Sequence, residues 1–215
     1  MRFEVQAILF DIDGTLVDST PAVERTWRSW AAARGMDGEA ILAVSHGRRS
    51  EDTIADVLPP GQRAAAVVEL EQMELDDLDS VVALPAAGEL LAGLPPERWA
   101  AVTSGSRRLM RARLAAAGLP VPAVLVTADD VSQGKPDPAG YLLAAESLGF
   151  AAEHCLVVED APAGLQAGRA AGAHVLAVAT SHPAEGLGPA DAVVADLTRV
   201  SVVAGAGGLV VTVRD

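Results

Sequence analysis

Two aspartates near the start of the chain, Asp11 and Asp13, are spaced so that they could do chemistry together. They follow the run Ala7–Phe10, which is short and continuously apolar and therefore predicts a fully buried strand. Alternation of side chains along a strand would point both carboxylates to one side, and Gly14 allows an abrupt turn beyond them. Two carboxylates in one small space repel each other unless a cation binds or one of them stays protonated. The spacing therefore predicts a metal site.

Two other interpretations of this acid pair are a calcium-binding loop and a chance pair of surface acids. A calcium-binding loop would need glycine at its sixth position and glutamate at its twelfth. Counted from Asp11, these positions hold Leu16 and Ala22, so the calcium interpretation is disfavoured. A chance pair of surface acids is the remaining alternative when the two aspartates are considered alone.

Two later segments add groups that could bind an anion. Ser104 and Gly105 precede a predicted helix at residues 107–117, and free N–H groups at a helix N-terminus attract anions. Capping of this helix by Ser104 or Ser106 is the alternative role. Lys135 is the only lysine among 16 basic residues, and a compact ammonium group fits a crowded anionic site. A solvated loop charge is the alternative role of this lysine.

The elements that would position these residues alternate between helices and short apolar strands. The strands are predicted at residues 99–103, 123–127, 155–159, 174–178 and 192–194, with a terminal pair at 200–203 and 209–213. Such alternation predicts a parallel sheet covered by helices on both faces. Glu159 and Asp160 end one of these strands, and ligands bind at the carboxyl ends of strands in open α/β sheets. Helix capping is the alternative role of these two acids.

A purely helical block is predicted between the first strand and residue 80. Its helices fall at residues 21–34, 38–44, 50–58 and 62–79. A block of this kind after the first strand predicts a small cap domain at residues 18–81, with a core domain formed by residues 1–17 and 82–215. The fold class is therefore α/β, a parallel-sheet core with an inserted all-helical cap.

The charge and composition of the 215-residue chain restrict its partners. A net charge of −13 repels nucleic acids and anionic membranes. No apolar run approaches the ~18 residues that span a bilayer. The single cysteine, Cys155, begins an apolar strand, so we expect a buried thiol and neither a disulfide nor a nucleophile. We expect a cytoplasmic protein with no nucleic-acid or membrane partner, as a monomer or alternatively as a dimer.

Four short segments occur in an order that resembles the motifs of the haloacid dehalogenase-like (HAD) hydrolase superfamily. They read Asp-Ile-Asp-Gly-Thr from Asp11, Thr-Ser-Gly-Ser from Thr103, Gly-Lys-Pro-Asp-Pro from Gly134 and Val-Glu-Asp-Ala-Pro-Ala-Gly from Val158. The resemblance extends over nearly the whole chain and implies a Rossmann-like core with a helical cap. It also implies a Mg²⁺-dependent phosphatase that works through an aspartyl-phosphate and acts on a small phosphorylated metabolite.

The resemblance assigns a role to each matching position. Asp11 would be the nucleophile, since an ionised carboxylate needs no base to attack phosphorus. Asp13 would be the general acid and base, and its presence argues against carbon–halogen cleavage because true dehalogenases of the superfamily lack it. Lys135 would balance the negative charge of Asp11 and phosphate. The phosphate contacts would be Thr15, Ser104, Gly105, Lys135 and, from the cap, Arg49. The Mg²⁺ ligands would be Asp11, the Asp13 carbonyl oxygen, Asp160 and Glu159, the last either directly or through water.

Shorter segments at residues 19–27, 46–49, 83–85 and 98–100 resemble the sugar and polyol phosphatases, including glycerol-phosphate and deoxyglucose-phosphate phosphatases. Arg48 and Arg49 would either contact the substrate or remain solvated charges on the cap. The main alternative is a β-phosphoglucomutase-like phosphosugar mutase, in which a cap histidine lies near the acid/base aspartate. The corresponding position here is Val23, which favours hydrolysis. A non-catalytic phosphate-binding protein on the same fold is a further alternative.

Overall fold

The computed structural model describes residues 1–45, 47–188, 190–205 and 207–214. His46, which belongs to one of the segments that resemble the sugar and polyol phosphatases, lies outside the described residues. Its strands are β1 (Arg2–Val5), β2 (Ala7–Phe10), β3 (Val17–Asp18), β4 (Val82–Ala83), β5 (Trp99–Val102), β6 (Leu125–Val126), β7 (Cys155–Glu159), β8 (His174–Val178), β9 (Ala192–Val194), β10 (Val200–Gly205) and β11 (Gly208–Val213). Its helices are α1 (Thr20–Ala32), α2 (Gly38–Ser45), α3 (Ser50–Val57), α4 (Pro60–Asp76), α5 (Ala87–Ala92), α6 (Arg107–Ala116), α7 (Ala139–Ser147) and α8 (Pro162–Ala170).

A parallel sheet of six strands lies at the centre of the described part of the chain, in the order β6–β5–β2–β7–β8–β9. All residues of β2, β5 and β7 are buried, as expected for strands with helices on both faces. One face is covered by an apolar cluster that includes Leu114 of α6, and the other by a cluster that includes Tyr141 of α7 and Leu165 of α8. The α/β core is therefore confirmed, and β2, β7, β8 and β9 have the predicted limits.

The register of this sheet brings the ends of three strands to one place. Phe10, the last residue of β2, pairs with Ala101 of β5 and with Val158 of β7. The chain therefore leaves β2 at Asp11 next to the last residues of both neighbouring strands. This carboxyl edge is where ligands bind in open α/β sheets, so the sheet itself brings the predicted motifs together.

Two small antiparallel sheets go beyond the predicted elements. One has the order β1–β11–β10 and includes the predicted terminal pair, and the other joins β3 to β4. Strand β1 was missed because its four residues are too few for a clear pattern and its partner, β11, lies at the far end of the chain. The pair β3–β4 lies where the chain enters and leaves the helical block.

Helices α1–α4, hereafter the cap, follow one another with no strand between them in the described residues. They enclose an apolar cluster separate from the two clusters that cover the sheet. Trp27 and Trp30 belong to this cluster, and their ring centroids lie 5.5 Å apart in an edge-to-face arrangement. The inserted helical cap is confirmed, whereas its limits at residues 18 and 81 stay a prediction.

The limits of the helices differ from the sequence prediction by a few residues. α1 begins and ends slightly earlier than predicted, and so does α4. Both helices carry a proline in the first turn, where the missing N–H has no intrahelical partner to lose. Cys155 is buried as expected, and burial raises the pKa of its thiol to about 11. Among the described residues, no helix combines the length and the apolar character that crossing a membrane would require.

Candidate active site

The loop after β2 fixes the position of the two aspartates. The backbone N–H of Asp11 donates to the carbonyl oxygen of Val158 at 3.0 Å, which continues the sheet by one residue. Beyond it the chain turns sharply, since the N–H groups of Leu16 and Val17 both donate to the carbonyl oxygen of Ile12 at 2.9 Å. Gly14 has a φ of 84°, a conformation that other residues rarely adopt. The turn therefore depends on glycine.

Lys135 joins the first aspartate to the acids at the end of β7. Its Nζ atom lies 2.5 Å from Oδ1 of Asp11, 2.5 Å from Oε1 of Glu159 and 3.1 Å from the carbonyl oxygen of Val102. Burial disfavours the charged amine, but the charges of Asp11 and Glu159 outweigh this effect and hold the pKa of Lys135 well above its usual range. Lys135 is therefore a buried ammonium ion, and the alternative of a solvated loop charge is excluded.

Glu159 is fixed by donors on both of its oxygens. Oε1 also accepts a hydrogen bond of 3.0 Å from the hydroxyl group of Tyr141, which is buried in α7. Oε2 accepts from the backbone N–H groups of Asp160 at 3.0 Å and Ala161 at 3.1 Å. With Lys135, four donors thus bind this carboxylate. This arrangement favours a contact to metal through water over a direct one.

Asp11, Glu159 and Asp160, hereafter the three-acid cluster, offer carboxylate oxygens that all lie within 4.8 Å of one another. Burial and the charges of the other two acids hold the pKa of Asp11 well above its usual range, although Lys135 opposes the shift. Burial and the charge of Glu159 raise the pKa of Asp160 to about 7. The ammonium group of Lys135 thus contributes one positive charge against up to three negative charges of the cluster. The excess negative charge and the all-oxygen donor set fit a hard divalent cation such as Mg²⁺.

Hydroxyl groups hold the third acid of this cluster. Asp160 accepts hydrogen bonds from Thr15 at 3.2 Å and from Ser181. The resemblance implies that Thr15 contacts phosphate, whereas its hydroxyl group here orients a carboxylate of the cluster. A phosphate contact by Thr15 stays a prediction. Ser181 lies in the loop after β8, a segment that the sequence analysis did not connect with the site.

Asp13 lies apart from the three-acid cluster. Its Oδ1 accepts a hydrogen bond of 2.7 Å from Ser19, and its Oδ2 lies 2.7 Å from Nη1 of Arg113 on α6. The three-acid cluster therefore does not include its carboxylate, and the expectation that Asp11 and Asp13 share one small space stays a prediction. The strand ends at Phe10 and the chain turns, so alternation along the strand no longer directs the side chain of Asp13. Its carboxylate faces the cap.

The segment before α6 is placed beside the edge of the sheet, as predicted. Ser106 caps α6, since its side chain accepts from the backbone N–H of Leu109, so capping is not the role of Ser104. The hydroxyl group of Ser104 donates to the carbonyl oxygen of Gly47 in the cap at 3.0 Å. The N–H of Gly105 donates to the side chain of Thr103 at 3.1 Å. Contact of Ser104 and Gly105 with phosphate stays a prediction.

The two arginines of the cap differ in their environment. Arg49 is buried, and its Nη2 donates to the carbonyl oxygen of Val131 at 2.8 Å, just before Lys135 in the chain. The interpretation of a solvated cap charge is therefore excluded for Arg49. Arg48 is partly exposed and pairs with Asp56 at 3.0 Å, as expected for a solvated charge. The predicted contact of Arg49 with phosphate stays a prediction.

A polar cavity of about 90 Å³ lies between the sheet edge and the cap. Asp13 and Asp160 line it from the core, and Ser45, Ser50 and Glu74 line it from the cap. Val23, the position that corresponds to the mutase histidine, also lines this cavity, as does Arg113. The cavity therefore adjoins the acid/base candidate and the three-acid cluster at once.

Sequence reasoning missed several polar residues of the site, among them Tyr141, Arg113, Glu74 and Ser181. Tyr141 carried a usable signal, since it is the only tyrosine of the chain and follows Lys135 by six positions. Arg113 and Glu74 resembled ordinary helix charges, and Ser181 resembled a loop residue. Their roles depend on helices and loops that meet only in the folded protein, and no local pattern predicts this.

A family model described as haloacid dehalogenase-like hydrolase matches residues 5–172, and the chain belongs to this family. Hexitol phosphatase A of Escherichia coli (strain K12) is 44% identical over 205 residues, which cover 92% of this chain and 94% of that protein. Glycerol-1-phosphate phosphohydrolase 2 of Saccharomyces cerevisiae is 36% identical over 193 residues, which cover 84% of this chain and 77% of that protein. The crystal structure of a hydrolase from Pseudomonas syringae is similar with a TM-score of 0.81 and 27% identity, over 89% of this chain and 94% of that one.

Proposed function

We propose that this protein is a Mg²⁺-dependent phosphatase that hydrolyses small phosphomonoesters through an aspartyl-phosphate on Asp11. The observation that carries this proposal is the buried contact of 2.5 Å between Asp11 and Lys135, inside a cluster of three acids at the carboxyl edge of the sheet. Such an arrangement places a carboxylate nucleophile beside a fixed positive charge. A chance pair of surface acids, the alternative considered for Asp11 and Asp13, would be exposed and would have no buried lysine beside it.

In the first step, a carboxylate oxygen of Asp11 forms a bond to phosphorus and the bond from phosphorus to the ester oxygen breaks. The departing oxygen takes the proton that Asp13 carries as general acid. In the second step, Asp13 removes a proton from a water molecule, whose oxygen bonds to phosphorus. The bond between phosphorus and Asp11 then breaks, so that inorganic phosphate leaves and both aspartates return to their initial state.

Lys135 compensates the negative charge that moves between Asp11 and the phosphoryl oxygens, because its ammonium group stays buried and protonated. Asp11, Asp160 and the carbonyl oxygen of Asp13 would hold Mg²⁺ directly, and Glu159 through water. When bound, Mg²⁺ supplies positive charge for phosphate oxygens and cancels the excess charge of the three-acid cluster. Tyr141 and Thr15 keep two of these carboxylates in place.

The substrate class we propose is phosphates of sugars and polyols. The hexitol and glycerol-1-phosphate enzymes named above support it, and so does the cavity beside Asp13. Ser45, Ser50 and Glu74, whose side chains carry hydroxyl or carboxylate groups, are among the residues that line this cavity from the cap. A chain of hydroxyl groups needs such donors and acceptors, because burying them without partners is unfavourable.

The test is a phosphate-release screen in Mg²⁺ over hexitol, hexose, glycerol, nucleotide and glycolate phosphates. We expect hexitol or other polyol phosphates to give the highest kcat/KM. The variant Asp11→Asn should fold and bind inorganic phosphate but release none from these esters. Turnover in this variant equal to that of the unchanged protein would exclude Asp11 as the nucleophile, and binding without turnover in the unchanged protein would support the non-catalytic alternative.

The mutase alternative predicts a different product from the same residues. Glucose 1-phosphate should yield free phosphate and glucose if the protein is a phosphatase. Conversion to glucose 6-phosphate would overturn the proposal. The side chain of Val23 lines the cavity and cannot donate or accept a proton, which favours hydrolysis.

A further inference from the structure

Arg113 is a buried cation that contacts the core and the cap at the same time. It lies on α6, with Nη1 at 2.7 Å from Oδ2 of Asp13 and Nη2 at 3.0 Å from Oε1 of Glu74 on α4. The exposed fraction is 5% for the side chain of Arg113 and 6% for that of Glu74. The acid/base candidate of the core and a carboxylate of the cap thus share one guanidinium group.

The burial of these charges makes the arrangement sensitive to the position of the cap. A buried charge that loses its partner is strongly unfavourable, because it is left without both water and a counter-charge. Glu74 and Arg113 lie on different domains of the predicted division, so they can both be buried and paired only when the cap is docked. Movement of the cap away from the sheet would leave Arg113 with Asp13 as its only carboxylate partner among the described residues.

The carboxylate of Asp13 is held from both sides. Ser19 donates to Oδ1 at 2.7 Å, and Arg113 donates to Oδ2 at 2.7 Å. These two contacts restrict rotation of the carboxylate group. A general acid must lie within hydrogen-bond reach of the atom that takes its proton, and small displacements reduce its effect strongly. Both carboxylates and Arg113 line the cavity in which a leaving group would lie.

We propose that Arg113 is the positioning residue of Asp13, and that Glu74 makes this positioning depend on the docked cap. The proposal rests on the proposed function, because it concerns proton transfer to the leaving oxygen in that reaction. The ion pair with Arg113 keeps the carboxylate of Asp13 directed toward the cavity, and the ion pair with Glu74 keeps the guanidinium group of Arg113 in place. The leaving group therefore receives its proton only when the cap closes the site.

The test compares two substrates that differ in whether their leaving oxygen must be protonated by a general acid. Alkyl phosphates, such as the best polyol phosphate of the screen, need protonation of the leaving oxygen, whereas p-nitrophenyl phosphate does not. Loss of a positioned acid typically costs about 10²–10⁴-fold in rate. Because Asp13 also serves as the base of the second step, which both substrates share, the comparison uses kcat/KM, which covers only the steps up to release of the alcohol. We expect Arg113→Met to lower kcat/KM on the alkyl phosphate by about 100-fold and kcat/KM on p-nitrophenyl phosphate by less than about fivefold. Arg113→Lys, which retains the charge, should restore part of the loss.

Glu74→Gln carries the second half of the test and has a matched control. It should lower the ratio of kcat/KM on the alkyl phosphate to kcat/KM on p-nitrophenyl phosphate by about tenfold. Glu71, one turn earlier on α4, also links cap and core through a hydrogen bond from Ser106 but has no contact with Asp13. Glu71→Gln should leave the ratio as it is in the unchanged protein.

Several outcomes would overturn the inference. An equal loss of kcat/KM on both substrates in folded Arg113→Met would show that Arg113 has only a structural role. An equal change of the ratio of the two kcat/KM values in Glu71→Gln and Glu74→Gln would show that the effect comes from general docking of the cap. If Arg113→Met does not fold, Arg113→Lys and Glu74→Gln decide the matter by the same ratio. Failure of the unchanged protein to release phosphate from any ester would remove the proposed function and this inference together, whereas normal turnover with an unaffected ratio removes the inference alone.

Discussion

The Nζ atom of Lys135 lies 2.5 Å from Oδ1 of Asp11, and both side chains are nearly inaccessible to solvent. This contact joins residues 124 positions apart and is completed by Glu159, which Lys135 approaches to the same distance. The amine therefore compensates charge on two carboxylates that no other described side chain neutralises at this distance.

Replacement of Lys135 by methionine should lower kcat by ~10²–10³-fold, because a fixed charge that stabilises the transferring phosphoryl group is lost. Lys135→Arg should not restore the rate, since a planar guanidinium group needs more room than this enclosed position offers. Steady-state kinetics on the best substrate of the screen measures both effects. Full activity of Lys135→Arg would show that charge alone is sufficient.

The stability of the metal-free protein should fall as the pH rises. The pKa of Asp160 is raised to about 7, so the folded protein binds this proton more tightly than the unfolded chain does. The resulting stabilisation is complete below about pH 4, the usual range of an aspartate, and is lost as the pH rises through 7. Since one pKa unit corresponds to ~1.4 kcal/mol, the loss should amount to a few kcal/mol.

Mg²⁺ should reverse this loss, and its effect should be largest at alkaline pH, where the three-acid cluster is ionised. Urea unfolding at pH 5 and pH 8, in EDTA and in Mg²⁺, measures the free energies. Asp160→Asn should have a flatter pH dependence in EDTA, because the titrating group is gone. A free energy of unfolding that increases between these pH values in EDTA would contradict the charge assignment.

Gly164→Ala should disturb Glu159. A Cβ atom at residue 164 would lie 1.7 Å from Oε1 of Glu159, so the carboxylate that binds Lys135 must move. We expect kcat to fall at least about tenfold and the melting temperature to decrease. Gly61→Ala is the matched control, since it also lies in the first turn of a helix but has nothing within 4 Å of the added atom. This control should keep its activity and gain up to about 1 kcal/mol.

Arg49→Ala should loosen the cap more than it weakens phosphate binding. The Nη2 atom of Arg49 donates to the carbonyl oxygen of Val131, and Nη1 lies near that of Ser132, so the side chain ties the cap to the loop before Lys135. Proteolysis at residues 17–20 and 81–85 should become faster, while the inhibition constant of inorganic phosphate changes less than about threefold. An increase of about tenfold or more would show the phosphate contact that the resemblance implies.

Most of the core could be predicted from the sequence, but only part of the candidate active site could. Ala7–Phe10 and Cys155–Glu159 could be predicted to the residue, because short apolar runs between polar residues are typical of buried parallel strands. Lys135 could be predicted because it is the only lysine of the chain. These signals are local or compositional.

The direction of the Asp13 side chain and the pairing of Arg113 with Glu74 could not be predicted in this way. The first depends on a turn that begins one residue after the strand, so the period of two no longer applies. The second joins residues 39 positions apart on helices of the core and the cap, and each of these charges alone is typical of a helix surface. Only the docking of the two parts buries them.

The separate apolar cluster of the cap has an evolutionary consequence. Because Trp27, Trp30 and their neighbours stabilise the cap without help from the sheet, the cap can accumulate substitutions while the phosphoryl-transfer machinery stays constant. New metabolites can then be accepted by changes in α1–α4 alone. Glu74 is an exception among the cap residues, because its partner Arg113 is buried on α6, and selection should therefore alter Glu74 and Arg113 as a unit.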